Sequence, residues 1–309
     1  MIWPFRRPEP EPRASPVDAA AIVRQARRLR FRLRPGAVSE LAGAYLGARP
    51  GTGLAFSELR AYEPGDDVRH LDWNATARQG RPYVRHFVEE RALGLWLIVD
   101  VSASLRFGPE GRTKADRAAQ AAALLASAAI RNGDRAGLAM VSDRVEAELP
   151  PGGGTRHLAR LLRLLVATPS TSRKTGLAAG LTAAGCPPRR SLVVAIGDFL
   201  TPEPDAPWRR VSRRHEVVAM RLVEPREESL PAAGLVALED AETGVRRVVD
   251  SGSWRVRDAY ARAAVARRAT FRAWCAGVGV TGFDASTADD PLSPLVRFFR
   301  GQPARRRVH

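Results

Sequence analysis

From about residue 93 onward, short runs of consecutive apolar residues alternate with stretches in which apolar residues recur every three or four positions. The runs fall at residues 93–99, 136–141, 191–196, 216–223 and 280–285, and the first and third end at Asp100 and at Gly197-Asp198. A strand that is apolar at every position suits a parallel sheet covered on both faces. Between the runs, helical spacing predicts helices over 115–131, which is rich in alanine, over 157–166, with Leu158, Leu161, Leu162, Leu164 and Leu165, over 175–184 and over 254–275. Residues 145–149 can pair beside 136–141 as a short hairpin strand, and 235–249 predicts a second hairpin around Ala241-Glu-Thr-Gly244. This alternation predicts an α/β fold with a doubly wound, mainly parallel, Rossmann-like sheet over residues 92–290.

The first ninety residues read differently. Pro4, Pro8, Pro10, Pro12 and Pro16 make residues 1–16 a flexible leader. In 17–34, Ile22, Val23, Ala26, Leu29 and Leu33 lie at helical spacing among arginines, which predicts an amphipathic helix packed on the core. Glycine and proline punctuate residues 35–90 so densely that a loop-rich, weakly strand-forming extension is expected rather than a further domain. Residues 17–91 thus form an N-terminal helix and loop-rich region, and 291–309 a short helix with the basic tail Arg305-Arg306-Arg307.

Composition narrows the partners. At 309 residues, 45% of them hydrophobic and 6% aromatic, the chain can bury one full α/β core beside a smaller region. A formal net charge of +16 is compatible with nucleic acid, an anionic membrane surface or an acidic protein. Lys114 and Lys174 are the only lysines among 49 basic residues, which points to a general bias toward arginine rather than to a built basic surface. No familiar nucleic-acid module is present, so nucleic acid is not an expected partner. Cys186 and Cys275 stand far apart without Cys or His at ligand spacing, so reduced, buried thiols are expected. No run approaches the ~20 apolar residues of a membrane span, and the start lacks a secretory apolar stretch. A cytoplasmic location is expected.

The candidate chemistry lies at strand ends, where parallel sheets collect ligands. Asp100-Val101-Ser102-Ala103-Ser104 places three oxygen-bearing side chains at alternate positions after a buried strand. Thr175 follows the polar segment 170–174, and Asp198 closes another buried strand. Two carboxylates with three hydroxyls are a hard oxygen set suited to Mg²⁺, with Mn²⁺ or Ca²⁺ as alternatives. The competing local reading is that these Asp, Ser and Thr residues simply cap helices and form turns.

The set Asp100, Ser102, Ser104, Thr175 and Asp198 resembles the metal-ion-dependent adhesion site of von Willebrand factor A domains. That resemblance implies direct ligation by the hydroxyls, carboxylates acting in part through water, and an open position that takes an Asp or Glu of a partner. A longer pattern precedes it. The segment 56–78 contains Tyr62, Pro64, Gly65, Asp66, Asp67, Arg69, Asp72, Trp73 and Arg78, and Glu89, Glu90 and Arg91 follow before the first buried strand. This is similar to the signature of the bacterial family called domain of unknown function 58, with the likeness covering roughly residues 40–200. Leu105 stands where that family commonly has Met, Gly197 where Ser often precedes the Asp-Phe pair, and the loop at 48–51 replaces a more polar stretch. The charges of the signature are expected to form an ion-pair network, with Trp73 packed over an arginine stem, or else a recognition surface. His70 beside Asp72 lacks a paired nucleophile and oxyanion donor, so no catalytic residue is assigned.

The expected function is therefore a metal-dependent protein-binding module and not an enzyme. Family resemblance implies a partner among MoxR-type AAA ATPases or their clients, with this chain as adaptor or co-chaperone. Since no Gly-x-x-x-x-Gly-Lys-Ser/Thr string is present, ATP hydrolysis would belong to the partner. No small-molecule substrate is expected. Two other readings remain: a metal-assisted phosphohydrolase using Asp100, although Ser102 occupies the place of a second acid, and an arginine-rich nucleic-acid or membrane-surface adaptor working through residues 24–34 and the tail.

Overall fold

The computed structural model describes residues 41, 44, 45, 54–62, 71–89, 94–167, 172–183, 185 and 191–301. Its centre is a six-stranded sheet containing β3 (Gly94–Asp100), β4 (Arg135–Val141), β5 (Val145–Gly152), β6 (Ser191–Gly197), β7 (Glu216–Val223) and β10 (Thr281–Ser286). The strand order is β10-β7-β6-β3-β4-β5, and every pair is parallel except β4 with β5. This is a mixed α/β fold with a mostly parallel central sheet, compatible with a Rossmann-like arrangement.

Two-sided burial explains the continuous apolar runs. Leu95, Leu97 and Val99 of β3, with Leu192, Val194 and Ile196 of β6, pack into one core. Trp96 and Ile98, with Val193 and Ala195, pack into the other. The first core is closed by α2 (Lys114–Arg131), α3 (Gly154–Ala167) and α8 (Leu292–Gly301), joined by Leu41 and Tyr45. On the opposite face lie α4 (Ala178–Leu181), α5 (Asp205–Ser212) and α7 (Trp254–Val278). Between β7 and α7 stand the single turn α6 (Pro225–Glu228) and an antiparallel ribbon of β8 (Leu235–Glu239) and β9 (Arg246–Asp250). No helix among the described residues is long and apolar enough to cross a membrane.

The helix expected over 175–184 contracts to the four residues of α4. Only Gly180 and Leu181 of it are buried, and Glu203 rather than a helical turn receives the N–H groups of Leu177 and Ala178, at 2.8 and 3.0 Å. The long C-terminal helix runs three residues beyond its expected end, to a left-handed Gly279 cap.

The extension expected to be loop-rich contains regular structure. β1 (Leu54–Ala61) pairs antiparallel with β2 (Tyr83–Glu89), and α1 (Trp73–Gln79) lies between them. A bulge between Phe56 and Glu58 breaks the alternation that would have marked β1 as a strand. Asp72 starts α1 as its N-cap, accepting from the N–H groups of Asn74 and Ala75 at 3.0 Å each. Trp73 is 72% exposed. Tyr62 holds the base of this unit by donating its N–H to the Pro82 carbonyl at 2.9 Å, and Arg78 sits in the last turn of α1. Pro64, Gly65, Asp66, Asp67, Arg69, Glu90 and Arg91 lie outside the described residues, as do the helix expected at 17–34, the basic tail and Cys186.

Trp96 and Trp208 are the largest fully buried side chains among the described residues, and the Trp96 indole N–H donates to the Gly180 carbonyl at 3.0 Å. Its ring covers Gly137, its registered neighbour on β4, where a Cβ would stand 2.6 Å from two ring carbons and 3.0 Å from the main-chain nitrogen of Pro151. Neither the strand backbone nor a close-packed indole can yield cheaply. Gly137→Ala is expected to cost roughly 1–3 kcal/mol, read as a lower urea midpoint at an unchanged slope.

Candidate metal centre

Asp100 ends β3 and Asp198 follows the adjacent parallel strand β6, at the point where strand order reverses from β3 toward β4 on one side and β6 on the other. That is the crevice position of an open α/β sheet. Asp100 Oδ1 accepts the Ser102 N–H at 2.8 Å, which folds the chain into a tight turn leading to the single 3₁₀ turn Ala103–Arg106. Leu105 of that turn is fully buried and fills the core where the sequence departs from the common Met. Across the crevice, the Ala103 N–H donates to the Ser172 carbonyl at 3.2 Å, drawing the Thr175 segment alongside.

The three hydroxyls are linked. Thr175 Oγ1 donates to Ser102 Oγ at 2.8 Å, and Ser102 Oγ lies 3.1 Å from Ser104 Oγ. Adjacent oxygens of an octahedron with ligand distances near ~2.1 Å are separated by about 3 Å, so this spacing matches the donor edge that Mg²⁺ requires. Asp100 Oδ2 is buried without a hydrogen-bond partner among the described residues. Gly197 makes room for it: a Cβ there would lie 3.2 Å from that oxygen and 3.0 Å from Leu177 Cδ1. The glycine that departs from the resembled pattern is therefore part of the crevice wall.

Burial, and then the neighbouring Asp198 carboxylate, push the Asp100 carboxyl up from 3.8 to about 7, against the Ser102 hydrogen bonds and the Lys114 charge. A buried carboxylate with an open oxygen beside three hydroxyls is a fit for a hard divalent cation, whose charge would remove both penalties. The donor set holds two carboxylates, and no cluster of three or more His, Cys, Asp or Glu side chains able to hold a metal occurs among the described residues.

The structure adds a residue that the spacing of the motif does not reveal. Lys114, fully buried at the start of α2, donates to Asp198 Oδ2 at 2.8 Å and to Glu227 of α6 at 2.7 Å. Burial alone would lower its pKa, but the Asp198 and Glu227 carboxylates outweigh that and raise it. Asp198 is thus already compensated by an ammonium, with its Oδ1 making one long bond to the Leu200 N–H at 3.3 Å. The available signal was compositional, a lysine kept in a chain that otherwise uses arginine. Cys275 is buried and free, as expected, with its thiol pushed up to about 12 by burial.

Two outcomes follow from these charges. Lys114→Met strands two carboxylates and should lower stability by about 3–5 kcal/mol in chemical denaturation. For Asp100 the sign is that of a raised carboxyl: the folded state binds the proton more tightly, so stability is retained below the unfolded value near 3.8 and is lost as pH rises toward about 7. In chelator at pH 7.5, Asp100→Asn is expected to melt above the wild type, and the difference should shrink by pH 4. An equal pH profile for the two proteins would remove this account of Asp100.

The model of the family described as "Protein of unknown function DUF58" matches residues 58–270, from β1 through most of α7. Uncharacterized proteins of Mycobacterium tuberculosis and Mycobacterium bovis are 36% identical over 286 residues, covering 91% of this chain and 90% of their own length. One of Mycobacterium avium is 34% identical over 163 residues, half of this chain. Among solved structures, the conserved hypothetical protein BatB of Bacteroides thetaiotaomicron matches at 12% identity and a TM-score of 0.44, over 66% of this chain and 96% of its own. An aerotolerance-related membrane protein of Bacteroides fragilis gives 16% and 0.43, over 66% and 94%. With the match running from the N-terminal strand pair through both strand ends of the crevice, the chain belongs to the DUF58 family of bacterial proteins of unknown function.

Proposed function

We propose that this protein is a metal-dependent protein-binding module, its crevice built as in von Willebrand factor A domains. The observation that carries the reading is the buried, unpartnered Asp100 Oδ2 next to the linked hydroxyls of Ser102, Ser104 and Thr175. Asp100 and the three hydroxyls would hold Mg²⁺, with Asp198 held nearby by Lys114. The cation would supply a Lewis-acidic open position for a carboxylate of the partner. Lys114 takes up part of the negative charge, so affinity for the metal should be moderate and tuned by partner binding. Resemblance favours a MoxR-type AAA ATPase or its client as that partner, with this chain as adaptor.

Calorimetry with Mg²⁺ and Mn²⁺ tests the site. The wild type should bind one ion and Asp100→Ala none, while equal heats from both would sink the reading. For the partner, capture by the wild type in Mg²⁺ should be lost both in chelator and in Ser102→Ala; capture that is indifferent to metal would overturn the binding role.

A further inference from the structure

Behind the crevice, on the α7 side of the sheet, lies a cavity of about 370 Å³ whose walls include Phe199, Leu200, Pro202, Phe271, Trp274 and Arg221. Its size is that of a small-ligand pocket, and its composition is the usual one, apolar walls with a few placed polar groups. The aromatic wall is ordered as a cluster: the Phe199 ring lies 5.1 Å from Phe271 and 5.9 Å from Trp274, centroid to centroid. Phe199 achieves this with a φ of 50°, the one positive value at a non-glycine residue among the described residues. Such a conformation costs on the order of 1–2 kcal/mol and is found where a side chain must be aimed for a purpose.

The polar group is Arg221, which is 5% exposed on β7. Its Nε donates to Asp284 Oδ1 at 2.7 Å across the registered β7–β10 pair, and its guanidinium sits 5.3 Å from the Phe271 ring centroid. Its Nη2 is buried and has no hydrogen-bond partner among the described residues. Asp284 also faces Arg268 and Arg272, which approach its other oxygen at 3.4 and 3.8 Å, and Arg268 is paired with Glu228 as well. Arg267, at the edge of the same cavity, donates to the Glu227 carbonyl at 2.9 Å. Glu203 also lines the cavity, but its carboxylate is committed to the Leu177 and Ala178 N–H groups and to the Trp208 indole. The cavity therefore combines aromatic walls with a buried guanidinium, whose Nη2 has no hydrogen-bond partner among the described residues.

We infer that this cavity is a binding site for an apolar carboxylic acid, with the carboxylate on Arg221 and the hydrocarbon body against Phe199, Phe271 and Trp274. An anion is the complement of a guanidinium whose donor is buried and unpaired, and a carboxylate accepts from it with charge-assisted strength. A free aromatic or branched acid and the C-terminal residue of a peptide present the same chemistry. The site does not depend on the metal reading of the Asp100 crevice, so it is tested in chelator.

Titration calorimetry or ligand-observed NMR with 3-phenylpropionate, 3-phenylpropionamide, and an eight-residue peptide ending in phenylalanine as acid and as amide separates the possibilities. At least one acid should bind saturably, with its amide weaker by about tenfold or more. Because Arg221 also holds Asp284, Arg221→Met is accompanied by Ala266→Trp, which fills the cavity from the solvent-facing side of α7. Both variants should lose binding. Binding of phenylpropionate alone assigns the cavity to small acids, and binding of the peptide acid assigns it to chain termini; either supports the inference. No saturable binding, equal affinity for acid and amide, or binding that survives Ala266→Trp overturns it.

Discussion

At the carboxyl end of the sheet one ammonium is shared by two carboxylates, and three elements meet there because of it. Lys114 opens α2, Asp198 closes β6 and Glu227 belongs to α6, so the contact ties a helix on one face of the sheet to a strand end and to the turn after β7. Removing three charges from water is costly, and the arrangement persists only because each is paired at hydrogen-bond distance. Burial raises the Glu227 carboxyl, and the Lys114 charge offsets only part of that rise. The consequence for the crevice is asymmetry. Asp198 carries a compensated charge, whereas Asp100, next to it, has one oxygen on the Ser102 N–H and the other without a hydrogen-bond partner among the described residues.

That asymmetry distinguishes what sequence could convey from what it could not. The buried strands were legible because each is apolar on both faces and ends at a polar residue, so β3 and β6 declare both their span and the position of Asp100 and Asp198. Ser102 and Ser104 were legible with them, since both follow the end of β3 at short range, whereas Thr175 follows no strand end and is brought to Ser102 by the fold. Lys114 was not, because its second partner, Glu227, lies 113 residues away and no local pattern links them. Only the scarcity of lysine in the chain set Lys114 apart.

The N-terminal strands failed to announce themselves for a different reason. Ser57, Glu58 and Arg60 in β1 and Arg85 and His86 in β2 give polar-rich strands, the bulge shifts their register, and glycines and prolines crowd the flanks. Local propensity there favours loops, and pairing between the two strands overrides it. Asp72 of the signature likewise performs a task with a simple physical content, satisfying the first N–H groups of α1, while Trp73 beside it faces solvent.

The left-handed turn at Phe199 has a mechanical meaning. Asp198 and Phe199 share one peptide plane, with the carboxylate held on the Lys114 side of the sheet and the ring packed on the α7 side. A rigid plane cannot rotate at one end alone. Crevice and cavity thus draw on consecutive residues, and the course of the backbone through the Asp198–Phe199 peptide is common to both walls.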